Sequence, residues 1–431
     1  MLLHTFCAMR RSTAILVFKC LFVLHAFASP AVAQTPEDLL NIQVLQRVDL
    51  QVNDRDLEKL KENFLENEYY PADFKWNGET VRNVGIRSRG HGSRSGTKPG
   101  LRVDFDYYAT AQRFLGLKSL VLDNLTQDAS GVHETATVQL MAKMGVPAPR
   151  EAHARLYINN QYAGLYAIVE SVDKRLLARV FGIVEEDTQN DGYLFEFRWN
   201  DEWRMEDLGD DLGPYKNRFD AKTHETKSDE QKYRPIQQLV HLVNDTREDR
   251  LGEVLGPLLD IPALIRYVAT QNFVAQIDGF VGNWGINNFY LYRLEGSSQH
   301  VFIDWDEDTA FWGPTYTIDQ GLEDNVLMRK LMRVPEYRAM YYAELQRAMD
   351  LATEPVGEPP TPWFGAEIHR QLDLIDQAMR EDTLRPPWDF DAARGNMLNF
   401  TKDRAAFVRC ELERGARSGC ESAVGASRVR P

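Results

Sequence analysis

The sequence predicts an α+β protein whose strands gather in its first half and whose helices fill its second. Three observations carry this. Between residues 44 and 170, short runs alternate apolar and polar residues and are parted by Asn-Gly and Asn-Asn turns. From residue 232 onward, the apolar residues fall mostly at helical spacing. Between them, residues 289–293 and 300–303 read as a hairpin, with a polar loop before it and an acidic cluster after it.

In chain order, the first 33 residues carry Arg10 and Arg11, an apolar run over 14–28 broken by Lys19 and His25, and Ala31, Val32 and Ala33 before Gln34. A basic start, an apolar middle and a small-residue end make the pattern of a cleaved signal peptide. The run is short for a membrane span and has a lysine inside it. Cleavage after Ala33 leaves 398 of the 431 residues and removes three cations, taking the net charge from −14 to −17. So acidic a chain excludes bare nucleic acid and anionic membrane as partners and suits a cationic protein segment or a metal nucleotide. It also removes Cys7 and Cys20, leaving Cys410 and Cys420, which form either a short disulfide or two free thiols.

Residues 44–52 alternate as a strand, and 54–67 read as a helix capped by Asp54. Asn77 and Gly78 sit between strand-like residues over 74–84, a short hairpin signal. Residues 34–83 are thus expected to build a β/α platform beside the functional part. Arg87, Arg89, Gly90, Gly92, Arg94, Gly96 and Lys98 then alternate cations with permissive backbone before a strand at 101–107. Such a loop can fold over a phosphate, although a solvated basic turn has the same composition. A helix is expected over 130–144, capped by Asp128 or Ser130 and ended by Gly145. Two strands over 152–170 turn at Asn159 and Asn160 and lead to a helix over 172–181.

Residues 182–245 lose periodicity and read as an acidic insertion around one aromatic strand, apart from an amphipathic helix over 232–243. A second such helix, over 261–274, has Asp260 as its cap and Pro262 in its first turn. Helices around 324–332, 335–351, 363–379 and 390–413 complete the chain. The hairpin at 289–303 brings its own ends together, so the loop with Asp278, Asn283, Asn287 and Asn288 should lie beside Asp304, Asp306, Glu307 and Asp308. Oxygen donors without Cys or His suit Mg²⁺ or Ca²⁺ rather than zinc. Asp and Asn near a turn also serve as loop caps.

Four stretches, 84–105, 122–177, 277–292 and 303–312, together resemble the CotH family of atypical secreted kinases over nearly the whole chain after residue 33. The resemblance implies a two-lobed protein-kinase-like fold, with a β-rich N-lobe over 84–175 and a mainly helical C-lobe over 176–431. It implies transfer of the ATP γ-phosphoryl group, with Mg²⁺ or Mn²⁺, to Ser or Thr of a protein substrate or of the chain itself. By that resemblance Lys98, with Arg89 and Arg102 as rivals, would contact phosphate. Glu134 would pair with the phosphate-contacting lysine, or remain a surface carboxylate at a helix start. Glu170, at a hinge over 169–171, would reach ribose or adenine, or form an edge ion pair. Asp278 would orient the acceptor hydroxyl, and Asp306 and Asp308 would hold the metal. Asn288 matches the family's strand entry, whereas Asn283 has the kinase spacing of Asp, four residues, Asn. Asp304 departs from the family, where proline is frequent. The alternative is a coat or surface binding protein that keeps the fold without catalysis. Either would act outside the cytoplasm, secreted, periplasmic or at the cell surface, without a stable membrane span.

Overall fold

The computed structural model describes residues 34–184, 187, 188 and 191–424. The expected signal segment and its cleavage site lie outside the described residues. From Pro36 onward the chain forms one compact α+β unit.

The first half closes into a barrel. Its strands are β1 (Gln46–Val52), β2 (Tyr70–Trp76), β3 (Glu79–Ser88), β4 (Leu101–Asp104), β5 (Ser119–Asp123), β6 (Glu151–Ile158) and β7 (Gln161–Glu170), in the order β1-β2-β3-β4-β5-β7-β6. Neighbours are antiparallel except at the closure, where β1 runs parallel to β6 with Val48 opposite Leu156. Alternate residues point inward, as on β1, where Val48, Leu50 and Val52 are buried and Arg47, Asp49 and Gln51 are not. Phe74, Phe105 and Phe114 meet inside at tilted and edge-on angles among Ile86, Leu120 and Ile168. The β2–β3 hairpin turns at Asn77 and Gly78 as expected, both at positive φ.

Two expectations change here. A boundary at residue 83 falls inside β3, and residues 46–88 supply three barrel strands rather than a separate platform. A barrel has no free edge, so removing those strands would expose backbone groups on both sides of the gap. The helix α1 (Asp54–Glu62) is capped by Asn53, whose side chain accepts from the Arg55 amide, rather than by Asp54.

Helix α2 (His133–Met144) lies outside the barrel and ends on Gly145 at φ 71. After α3 (Lys174–Phe181), residues 191–245 hold the one aromatic strand that the sequence suggests and a second short strand besides. These are β8 (Tyr193–Phe197) and β9 (Phe219–Ala221), which join β10 (Phe289–Arg293) and β11 (His300–Asp304) in a second sheet ordered β9-β8-β10-β11. Phe197 stacks on Phe289 and packs edge-on against Phe219, so burial against a distant strand settles segments too short to show a period.

Helices α4 (Asp229–Asp245), α5 (Ile261–Phe273), α6 (Val326–Arg333), α7 (Pro335–Thr353), α8 (Trp363–Glu381) and α9 (Phe390–Arg414) share one large apolar core with α2 and the second sheet. Asp260 caps α5 by accepting from the Ala263 amide. Cys410 and Cys420 are joined in a disulfide, with Cα atoms 5.8 Å apart. No described helix is long and apolar enough to cross a membrane.

Candidate active site

The β10–β11 hairpin does what its sequence implies. Phe289 lies opposite Asp304, so the residues just before β10 and just after β11 are neighbours. Asn288 and Asp306, flanking this pair, both take positive φ, 57° and 64°. Asn and Asp tolerate the left-handed region better than other side chains, and holding it at two facing positions fixes where both side chains start.

Asp278 is half-buried and accepts from the carboxamides of Asn287 and Asn288 at 3.1 and 3.2 Å, both on Oδ2. Burial raises its pKa, while the two amides hold it down. Asn283 is exposed instead, and its carboxamide oxygen accepts from Gln320 at 3.3 Å. The fold therefore brings Asn288, not Asn283, to Asp278, because the strand entry turns the chain back toward that carboxylate.

Beyond Asp278 lies an assembly of acids. Burial pushes Asp306 up to about 7, with repulsion from Asp123 and Asp278 adding and Arg89 opposing. Asp308 is raised by burial and then by Asp306 and Glu134. Asp304 is fully buried and held near 7 by burial and the Glu134 charge, with Glu307, fully buried alongside, also raised. Two carboxyls in contact away from water share a proton, since both cannot ionise cheaply. Glu134 and Glu151 form a second such pair, both raised chiefly by burial.

This corrects the expectation for Glu134, which meets Glu151 at the start of β6 rather than a lysine. Lys98 is elsewhere. It is 2 % exposed, lies 2.6 Å from Asp382 just past α8, and donates to the Leu165 carbonyl at 2.8 Å. The loop bearing it is drawn back onto the barrel by Asn124, whose amide donates to the carbonyls of Ser93 and Lys98, so the ammonium is committed to a structural ion pair. Arg94 is likewise spent on the loop, donating to the carbonyls of Gly90, Phe64 and Glu66. Arg102 is bound to Asp104 and Ser119. Glu170 is buried between Arg150 and Arg179, the edge ion pair rather than a free ligand for ribose. Arg89 alone of the three predicted cations reaches the acids, 4.0 Å from Asp123 and over the ring of Trp305.

Sequence reasoning missed Asp123, Glu151 and the pairing of Asp304 with Glu307. Asp123 and Glu151 end and begin strands far from the acidic run, and only barrel closure brings them to it. The carboxylate oxygens of Glu151 and Asp304 are buried with no amide, hydroxyl or ammonium donor among the described residues, so only the proton shared within each pair or a hard cation can answer them. Among the described residues, however, no three acidic, His or Cys side chains already converge as a metal-holding group.

The family model described as CotH kinase protein matches residues 86–356, well over half the chain and including Asp123, Glu134, Glu151, Asp278, Asn288 and residues 304–308. The chain belongs to the CotH family. It is similar to the inner spore coat protein H of Bacillus subtilis (strain 168), 23% identical over 378 residues, covering 84% of this chain and 96% of that protein. Among solved structures it is similar to the Helicobacter pylori proinflammatory kinase CtkA, at 9% identity over 73% of this chain and 94% of that one. There the TM-score is 0.28, too low to argue a shared fold.

Proposed function

We propose that this CotH-family chain transfers the ATP γ-phosphoryl group to a Ser or Thr hydroxyl of a protein, or of itself, with Mg²⁺ or Mn²⁺. The observation that carries the reading is the juxtaposition across one hairpin of an amide-held carboxylate, Asp278, with a cluster of buried acids that no lysine among the described residues neutralises. Confined carboxylates repel one another and raise each other's pKa, a cost that a divalent cation would reverse.

In this reading the barrel and the helical half act as two lobes around the nucleotide. Asp278 orients the acceptor hydroxyl and takes up its proton, a role suited to a carboxylate that two amides fix in place and that burial makes more basic. Asp306, Asp308 and Asn288 hold the metal, which supplies charge neutralisation to the phosphates when bound. Arg89 replaces Lys98 as the phosphate-contacting cation. Residues 1–33 direct export, and the Cys410–Cys420 disulfide accords with an oxidising compartment.

The deciding experiment incubates the chain from Gln34 onward with labelled ATP and Mg²⁺ or Mn²⁺, beside its Asp278→Ala and Asp306→Ala variants. Label on the wild type alone is expected, and equal label on all three would end the reading. One observation favours a second reading, that of a coat or surface binding protein: Glu134 lacks the lysine partner that the resemblance implies. Metal and nucleotide binding without any transfer would select it.

A further inference from the structure

Two buried glutamines join the halves of this site. Gln271, on the last turns of α5, donates from Nε2 to Glu307 Oε1 at 2.7 Å and accepts from the Phe280 amide at 3.0 Å. Gln276 donates from Nε2 to Glu307 Oε2 at 2.9 Å and accepts from the Asp278 amide at 2.9 Å. A backbone N–H can only donate, so each glutamine must turn its oxygen to the 278–280 loop and its nitrogen to Glu307. Both glutamines and Glu307 are at most 1 % exposed.

The same segments are joined again by Thr309, whose hydroxyl donates to Gln276 Oε1, and by Gly279. A Cβ built at Gly279 would lie 2.6 Å from both amide atoms of Gln271, so the glycine leaves the amide its place.

We propose that Gln271 and Gln276 are positioning residues that clamp the Asp278 loop to the Asp306 segment through the two oxygens of Glu307. Acceptor-side and metal-side carboxylates then hold one relative geometry. The inference rests on the function proposed above for its catalytic consequence, but its structural content is independent of that function. Neither glutamine touches a reacting atom. They act by removing the freedom of two loops to drift apart, where misplacement of about 1 Å can cost about 100-fold in rate.

The test uses the chain from Gln34 onward and a donor–acceptor swap. Gln276→Glu keeps the acceptor for the Asp278 amide but sets a carboxylate against Glu307. The double variant Gln276→Glu with Glu307→Gln reverses donor and acceptor between these two side chains and keeps the bond from Gln271, giving up only the 3.4 Å contact of Gln276 Nε2 with the Asp306 carbonyl. Amide hydrogen exchange should speed about tenfold in the single variant over both 277–283 and 304–310, and return in the double. The kcat for phosphoryl transfer should fall about 100-fold in the single variant, with the ATP KM little changed, and recover in the double.

Exchange that stays slow, that speeds only around residue 276, or that the swap does not restore would overturn the clamp. Loosening of both segments with unchanged kcat would overturn the positioning role. If the wild type transfers no phosphate, the proposed function has failed, and the exchange data still decide the clamp.

Discussion

Asp278 shows how much one residue's neighbours decide. A lone loop aspartate is a cap; held on one oxygen by Asn287 and Asn288 and near Asp306, it is a fixed carboxylate, which the proposed transfer would use as its base. Asp278→Asn is expected to lower transfer by about 100- to 10,000-fold, the range of a general base, while metal-dependent ATP binding, measured by calorimetry, persists. Arg89→Ala should instead weaken ATP binding, since the cation offered to phosphate is lost; an unchanged Kd would return the role to another residue. Lys98→Met separates structure from function in the other direction. It leaves Asp382 buried without its partner and should cost about 3–5 kcal/mol in denaturant unfolding, with nucleotide affinity intact. A selective loss of ATP binding would restore Lys98 to the site.

Among the elements, the β10–β11 hairpin was legible because its two runs and the turn between them lie within fifteen residues of sequence. So were α2, α5 and the β2–β3 hairpin, each carrying a local stop or cap: Gly145, Asp260, and Asn77 with Gly78. The aromatic strand expected within the 182–245 insertion is β8, whereas β9 was not legible, because it is three residues long and packs Phe219 against Phe197 across the sheet. The Cys410–Cys420 disulfide fastens the turn after α9 back onto that helix. Replacing both cysteines by serine should lower stability by about 2–3 kcal/mol, the cost of freeing so short a loop. Thermal unfolding with and without reductant should reproduce that loss for the wild type and show no response in the variant.

For the molecule as a whole, pH dependence reports on buried groups. His153 is fully buried, donates from Nε2 to the Gly131 carbonyl at 2.7 Å, and is held by burial near pKa 4. Its folded pKa lies below its unfolded value of about 6.5, so it costs nothing above that pH. As the pH falls from about 6.5 to 4 the unfolded state takes up the proton first, and roughly 3 kcal/mol of stability is lost. The buried acids titrate with the opposite sign in this window, so the stability of wild type minus that of His153→Gln in denaturant unfolding is the quantity that should fall by roughly 3 kcal/mol from pH 6.5 to 4; parallel profiles would place the histidine in water.

The sequence by itself determined the elements with local signals, the acidic hairpin and the family resemblance, because these depend on residues close in the chain. Only the tertiary structure decided which charges meet. Barrel closure carries Asp123 and Glu151 to the acidic run, and the turn beyond α8 takes Lys98 away from it. A charge left in low dielectric must find a partner, and which partner is near depends on packing between segments separated by as many as 284 residues.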